Sequence, residues 1–147
     1  MKILVMDDIQ DKIKNIVRTI LEVGGIEKDD IEVAIDTDTA RLFLLQKKYD
    51  VLILDLNMPE SVVDDSTENA GEDFIDEIIG IEAINKPTEI VILSAYEECE
   101  DSFVKEESRN AFHILRYDES SIAWQTRLKA IIQYRLLYVS QTTNENI

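Results

Sequence analysis

Residues 49–60, Tyr-Asp-Val-Leu-Ile-Leu-Asp-Leu-Asn-Met-Pro-Glu, contain the stretch that decides the fold. Four apolar residues at 51–54 run directly into the carboxylate of Asp55, and a Met-Pro pair then breaks the chain. A short, continuous apolar run bounded by turn residues is typical of a strand that is buried on both faces of a parallel sheet. The pattern therefore predicts a buried strand that presents a charged side chain at its carboxyl end.

Further short apolar runs alternate with segments of helical periodicity along the chain. The predicted strands, in chain order, are Ile3–Met6, Ile31–Ile35, Val51–Leu54, Ile90–Leu93 and Phe112–Leu115. The predicted helices carry their apolar positions within residues 13–21, 40–44, 74–82, 97–109 and 122–136. This alternation predicts an α/β fold, a single doubly wound, flavodoxin-like sheet of five parallel strands in the order 2-1-3-4-5 with helices on both faces.

The length of 147 residues predicts one domain with its own hydrophobic core. We place this domain at residues 1–139, and we expect the polar segment at 140–147 to form a frayed tail. Residues 60–72 are rich in carboxylates and predict an acidic loop inserted before the third helix. No linker-like segment divides the chain, so no attached second domain is expected.

The formal net charge of −16 argues against a surface built to bind phosphate, so neither nucleic acid nor an anionic membrane is expected as a partner. The acidity fits a self-repelling surface, a basic partner or a bound cation, and charge alone does not separate these. Cys99 is the only cysteine, which excludes an internal disulfide and indicates a reducing compartment. The sequence has neither a signal-peptide pattern nor an apolar run of membrane-spanning length. These features predict a cytoplasmic protein.

Polar and charged residues follow four of the predicted strands at their carboxyl ends. Asp7 and Asp8 follow the first strand, Asp55 the third, Ser94 the fourth and Arg116 the fifth. In a sheet of order 2-1-3-4-5 the first and third strands are neighbours, so three carboxylates converge. Carboxylates this close raise one another's pKa unless a cation lies between them, and oxygen ligands of this kind suit Mg²⁺. The strand ends thus predict a magnesium site beside Asp55.

Four motifs in this order resemble the receiver domain of two-component response regulators, the CheY-like superfamily. They are Ile-Leu-Val-Met-Asp-Asp at 3–8, Leu-Asp-Leu-Asn-Met-Pro at 54–59, Leu-Ser-Ala at 93–95, and a basic residue, Arg116, after the fifth strand. The resemblance covers nearly the whole chain apart from the acidic loop and the last few residues. It implies that Asp55 accepts a phosphoryl group from a histidine kinase or a phosphotransfer protein in a Mg²⁺-dependent reaction.

The resemblance also implies a role for each matching residue. Asp8, helped by Asp7, would hold Mg²⁺ together with Asp55 and the backbone carbonyl of Asn57. Ser94 would act as the switch hydroxyl, which phosphorylation draws inward to a phosphoryl oxygen. The chemistry would be phosphoryl transfer, in which the protein supplies positioning and charge neutralisation.

Three features depart from the receiver pattern. Arg116 stands where the family has lysine; it would still pair with phosphoryl oxygens, although its guanidinium is longer and planar. His113 stands where the family's switch aromatic lies, and it is smaller and titratable. The family's glycine after Met-Pro is matched only by Gly71, sixteen positions after Asp55 (71 minus 55). This spacing implies that the acidic loop is an insertion beside the site.

These features favour a stand-alone receiver that changes its affinity for a downstream protein target once it is phosphorylated. The interface would be the face formed by the predicted fourth helix, the fifth strand and the fifth helix, a face that could also form a homodimer. Such a protein is not an enzyme, beyond self-phosphorylation from small donors and autodephosphorylation.

Two alternatives stay open. The first is a pseudo-receiver, an interaction module that works without phosphorylation, which Arg116, His113 and the long acidic loop favour. The second is a Mg²⁺-dependent phosphohydrolase that uses Asp55 as a transient nucleophile. It ranks last because position 57 is asparagine rather than a second aspartate.

Overall fold

The structure is a computed structural model that describes residues 1–59, 61, 70–95 and 112–145. Its strands are β1 (Ile3–Met6), β2 (Ile31–Ala34), β3 (Val51–Leu54), β4 (Glu89–Ser94) and β5 (His113–Arg116). The helices in the described ranges are α1 (Gln10–Glu22), α2 (Thr37–Gln46), α3 (Ala70–Gly80) and α4 (Ala123–Glu145), and a short 3₁₀ turn spans Lys28–Asp30.

The strands form one parallel sheet in the order β2-β1-β3-β4-β5. This confirms the predicted α/β fold and its strand order. Met6 of β1 is level with Leu54 of β3, so the two central strands end side by side. The winding of the chain reverses between these strands, and a doubly wound sheet forms its ligand crevice at this reversal point.

Helices cover both faces of the sheet, because successive side chains of a strand point to opposite faces. Under α2 and α3 lies a core that includes Leu4, Met6, Leu52, Leu54, Phe74, Ile75, Ile78 and Ile92. Under α1 and α4 lies a second core that includes Ile3, Val5, Ile16, Ile20, Ile53, Val91, Leu93, Trp124 and Leu128. Burial on both faces explains why the central strands are uninterrupted apolar runs in the sequence.

The helix ends follow local signals. α1 ends at Glu22, shortly before Gly24 and Gly25. Both glycines have a positive φ, +83° and +79°, which glycine adopts without strain. Asp36 is the N-cap of α2, and its Oδ1 accepts a hydrogen bond from the amide of Thr39 at 2.7 Å. Within the described residues, no helix combines the length and apolar character that crossing a membrane requires.

Some boundaries differ from the prediction. α3 begins at Ala70, inside the predicted acidic loop. The periodicity did not show this start, because Ala70 is the only apolar side chain of α3 before Phe74. α4 continues through Glu145 and so extends into the polar segment at 140–147, beyond the predicted domain end at 139. Its buried residues anchor the helix, and no glycine or proline stops its propagation through the polar end. The predicted helix at 97–109 lies outside the described residues.

Candidate functional site: an acidic pocket at the strand ends

The predicted carboxylates meet at the carboxyl ends of β1 and β3. The amide of Asp55 donates to the carbonyl of Met6 at 3.0 Å, which joins the two strand ends. Carboxylate oxygens of Asp7, Asp8 and Asp55 all lie within 4.8 Å of one another. Asp7 and Asp55 are buried, with 1% and 4% of their surface exposed, so solvent screens their repulsion poorly. The sequence therefore identified three carboxylates that the fold does bring together.

A lysine that the sequence did not single out lies among these carboxylates. Lys12, in the first turn of α1, is buried, and its Nζ lies 2.7 Å from Asp7 Oδ2 and 3.4 Å from Asp55 Oδ2. The same ammonium donates a hydrogen bond to the carbonyl of Leu93, at 2.8 Å. It also lies 5.1 Å from the centre of the Tyr117 ring, within the range of a cation–π contact. Lys12 thus contacts strands β1, β3 and β4 and the segment after β5.

The charges of this cluster shift one another's pKa. Burial raises the pKa of Asp7 above its ordinary value and Asp55 raises it further, whereas Lys12 opposes the increase. Burial alone would lower the pKa of Lys12, but the charges of Asp55 and Asp7 outweigh burial, so its pKa is raised. Lys12 is therefore held as an ammonium at neutral pH.

Ser94 contacts the opposite oxygen of the Asp55 carboxylate. Its Oγ donates to Asp55 Oδ1 at 2.6 Å and accepts from the amide of Leu56 at 2.8 Å. The amide of Asn57 also donates to Asp55 Oδ1, at 3.3 Å. Ser94 already lies against Asp55 in the unphosphorylated chain, so a phosphoryl group would change the partner of this hydroxyl rather than draw it in from outside.

Gly71 forms part of the backbone around Asp55. Its amide donates to the carbonyl of Leu56 at 3.0 Å. A Cβ atom at position 71 would lie only 2.4 Å from the carbonyl oxygen of Asp55 and 2.7 Å from Leu56 Cα. Only glycine fits such a close approach, so the start of α3 supports the loop that carries the acidic site.

An open cavity of about 250 Å³ lies directly above these groups. Its lining residues include Lys12, Asp55, Asn57, Ala95 and Tyr117. Asp55 and Lys12 both line this cavity, although only 4% of the surface of Asp55 is exposed. The cavity therefore leaves space for a small group beside a carboxylate and an ammonium.

Arg116 and His113, the other two predicted residues, act on carboxylates outside this cluster. Arg116 is the last residue of β5, level with Ser94, and its side chain is exposed. The pKa of Asp118 is lowered mainly by hydrogen bonds from Ser120, and the charge of Arg116 makes a smaller contribution. His113 is the first residue of β5, about 10 Å before the strand end at a rise of about 3.3 Å per residue. Its Nε2 lies 3.1 Å from Glu89 Oε2, at the amino end of β4.

Lys12 was missed because a lone lysine in an amphipathic helix is usually a solvent-facing residue. The available signal was its spacing, four residues after Asp8 and five after Asp7. Helical side chains lean towards the amino end of their helix, so a long side chain in the first turn reaches back over the strand end that precedes it. A cation at this spacing after an acidic pair could have been predicted to fold back onto it.

The donor set fits Mg²⁺. All candidate ligands are oxygen atoms, as this hard cation requires. Asp7 Oδ2 is buried, and Lys12 Nζ lies 2.7 Å from it. Three carboxylates against one ammonium leave a net charge of two negative, which one divalent cation cancels. Asp7, Asp8 and Asp55 would hold the ion, and Asn57, which lines the cavity, would add its backbone carbonyl.

Comparison with known proteins supports the fold assignment. No family model and no curated protein sequence matches the chain. A CheY-like response regulator receiver domain from Methylobacillus flagellatus superposes with a TM-score of 0.64 at 18% identity, covering 92% of this chain and 98% of that one. The receiver domain of a Francisella response regulator has a TM-score of 0.56 at 27% identity, covering 92% and 98%.

A third similar structure contains a magnesium ion. It is the receiver domain of a sensor histidine kinase from Pseudomonas aeruginosa PAO1, with a magnesium ion coordinated in the active site cleft. Its TM-score is 0.63 at 17% identity, and the match covers 90% of this chain and 94% of that one. The predicted resemblance to receiver domains is thus confirmed as a likeness of fold, and the chain has the CheY-like receiver architecture.

Proposed function

We propose that this chain is a response regulator receiver that accepts a phosphoryl group on Asp55 in a Mg²⁺-dependent reaction. The observation that carries the proposal is the arrangement around Asp55 within a receiver fold. Asp55 ends a central strand, Asp7 and Asp8 lie within 4.8 Å of it, and the Ser94 hydroxyl donates to it at 2.6 Å. The donor would approach Asp55 through the cavity that this residue lines.

The transfer would proceed by attack of an Asp55 carboxylate oxygen on phosphorus. The new phosphorus–oxygen bond forms as the bond to the donor's leaving atom breaks, and the electron pair stays on the leaving group. Mg²⁺ would supply charge neutralisation for the phosphoryl oxygens when it is bound. Ser94 would donate its hydroxyl hydrogen to a phosphoryl oxygen, and the amide of Asn57 would keep the acceptor loop in place. The donor would be a phosphohistidine of a kinase or a phosphotransfer protein in the cytoplasm.

Output would run through a protein surface. Asp55 contacts Ser94 at the end of β4, and β4 pairs with β5, so a change at the carboxylate reaches the face built from β5 and its neighbouring helices. A switch role for His113 would require its imidazole to leave Glu89, with which it now pairs. Arg116 at the exposed end of β5 would contact a downstream protein or a second copy of the chain on that face.

A second candidate function is a pseudo-receiver that binds its partner without phosphorylation. The specific observation in its favour is Lys12, which already pairs with Asp7 and Asp55. An internal ion pair of this kind can stabilise the fold without any phosphoryl chemistry. Both functions use the same architecture, so they differ only in whether Asp55 reacts.

Intact-mass spectrometry after incubation with Mg²⁺ and acetyl phosphate separates these functions. We expect one added phosphoryl group in the wild-type chain and none in Asp55→Asn, which keeps the size of the side chain but is not a nucleophile. Absence of the adduct together with absence of Mg²⁺ binding would support the pseudo-receiver. Rapid turnover of many different phosphoesters would instead indicate a phosphohydrolase.

A further inference from the structure

We propose that Lys12, rather than Arg116, is the cation of this protein that binds the phosphoryl group on Asp55. The inference rests on the proposed function, because it assigns a residue to the same reaction. The sequence placed this role on the basic residue after β5. The structure places a different ammonium against the acceptor carboxylate, on the first turn of α1.

The position of Lys12 is fixed by several contacts. Only 5% of its side chain is exposed, and its Nζ lies among Asp7 Oδ2, Asp55 Oδ2 and the carbonyl oxygen of Leu93. Tyr117 covers the ammonium from another side and receives a hydrogen bond from Asn15 of α1 at 3.0 Å. Contacts from this many elements hold the ammonium within the site, at the margin of the cavity that a phosphoryl group would enter.

Arg116 has a different environment. Its side chain is exposed, and its charge acts on Asp118 in the loop that follows β5. The charge of an exposed guanidinium is screened by water and salt, whereas Lys12 acts through a poorly screened interior. Lys12 lies within ion-pair distance of the Asp55 carboxylate, with its Nζ 3.4 Å from Asp55 Oδ2.

The reaction increases the negative charge that Lys12 faces. When Asp55 attacks the phosphorus of acetyl phosphate, the phosphorus–oxygen bond to acetate breaks and acetate leaves with its electron pair. The singly charged carboxylate becomes an acyl phosphate with two negative charges. Lys12 stays protonated throughout and interacts more strongly with the product than with the free carboxylate. Such a difference between states is what accelerates a reaction.

Lys12 should weaken the binding of Mg²⁺, the opposite of its effect on the phosphoryl group. Both are cations drawn to the same three carboxylates, so the ammonium repels the metal while it attracts the phosphoryl group. Replacing Lys12 by methionine, which keeps the length of the side chain, should therefore change the two affinities in opposite directions. A residue that only supports the fold would weaken both.

The test uses Lys12→Met, Arg116→Met and the matched control Lys14→Met, which removes the same charge from the exposed face of α1. Calorimetry measures the binding of Mg²⁺ alone and then of beryllofluoride, a stable analogue of the phosphoryl group, at saturating Mg²⁺. For Lys12→Met we expect Mg²⁺ binding at least about tenfold tighter, because one nearby positive charge is lost. We expect beryllofluoride binding and the rate of phosphorylation by acetyl phosphate to fall by about 100-fold. The Lys14→Met control should stay within about threefold of the wild type, the range of a screened surface charge.

The outcomes separate the inference from the proposed function. Loss of beryllofluoride binding in Arg116→Met but not in Lys12→Met overturns the inference, and so does weaker binding of both ligands in Lys12→Met. A wild-type chain that binds neither ligand and is not phosphorylated contradicts the proposed function itself.

A measurement on the unchanged chain covers the case in which Lys12→Met does not fold. The ¹⁵Nζ resonance of the Lys12 ammonium, assigned with Lys12→Arg, should shift when beryllofluoride is added to the wild type. A resonance that stays in place would refute a direct contact.

Discussion

Replacing Gly71 by alanine tests how tightly the start of α3 packs against the phosphoacceptor loop. The added Cβ would lie 2.4 Å from the carbonyl oxygen of Asp55 and 2.7 Å from both the Cα and the carbonyl oxygen of Leu56. All three contacts are with backbone atoms, so no side-chain rotation relieves them. At least one backbone segment must move by about 0.6 Å (3.0 minus 2.4), since real Cβ contacts essentially never fall under 3.0 Å.

Two opposing effects determine how far Gly71→Ala changes the free energy of unfolding. Overpacking of this kind costs about 1–3 kcal/mol, and backbone neighbours place Gly71 at the upper end of that range. Alanine stabilises a helix by about 1 kcal/mol relative to glycine. The net expectation is a loss of about 2 kcal/mol in the free energy of unfolding, or about 4–8 °C in Tm for a chain of this size. Because the displaced atoms include the acceptor residue, phosphorylation of Asp55 should also slow.

Urea unfolding monitored by circular dichroism measures the loss of stability, and Gly80→Ala supplies the matched control. Gly80 ends the same helix, and a Cβ there meets no atom within 4 Å. We expect Gly80→Ala to leave stability unchanged or to raise it by up to about 1 kcal/mol. Equal unfolding free energies for the two variants would refute the close approach of α3 to Asp55.

Two further predictions concern the acidic residues outside the site. Burial opposes ionisation of Glu32, but hydrogen bonds from Lys47 and Tyr49 outweigh it and lower its pKa below 4.5. This stabilisation is present above pH 4.5 and is lost as pH falls through the lowered pKa. Glu32→Gln should therefore cost about 1 kcal/mol at neutral pH and progressively less as the solution is acidified below pH 4.5. A cost in urea unfolding that does not change with pH would contradict this. Asp36→Ala removes the acceptor for the Thr39 amide and should lower the free energy of unfolding by about 1 kcal/mol, while Asp36→Asn should lower it less. Equal losses of stability for the two variants in thermal unfolding would argue against a capping role for Asp36.

The fold was predictable because its central strands are buried on both faces. Such strands have continuous apolar runs in the sequence. Their alternation with helical segments is compatible with only a few chain topologies. The ends of elements were less predictable where they lack apolar residues. The first turn of α3 and the last turns of α4 are polar, and both helices extend beyond their apolar periodicity.

The candidate site was predictable to the extent that its residues directly follow strands. Asp7, Asp55 and Ser94 come together because parallel strands end at one edge of the sheet, which chain order alone indicates. Lys12 comes from a helix, and its contact with Asp55 depends on a side-chain direction that hydrophobic periodicity does not report. The partner of His113 was equally hidden, because it depends on the register of β5 against β4.

The most direct test of the account is to locate the phosphoryl group. The chain is incubated with Mg²⁺ and acetyl phosphate and reduced with borohydride, which converts a phosphorylated aspartate to homoserine, and its peptides are then sequenced by mass spectrometry. We expect homoserine at position 55 alone, in amounts that rise with Mg²⁺ concentration and vanish when the metal is chelated. Homoserine at another position, or labelling of position 55 that is indifferent to Mg²⁺, would contradict it.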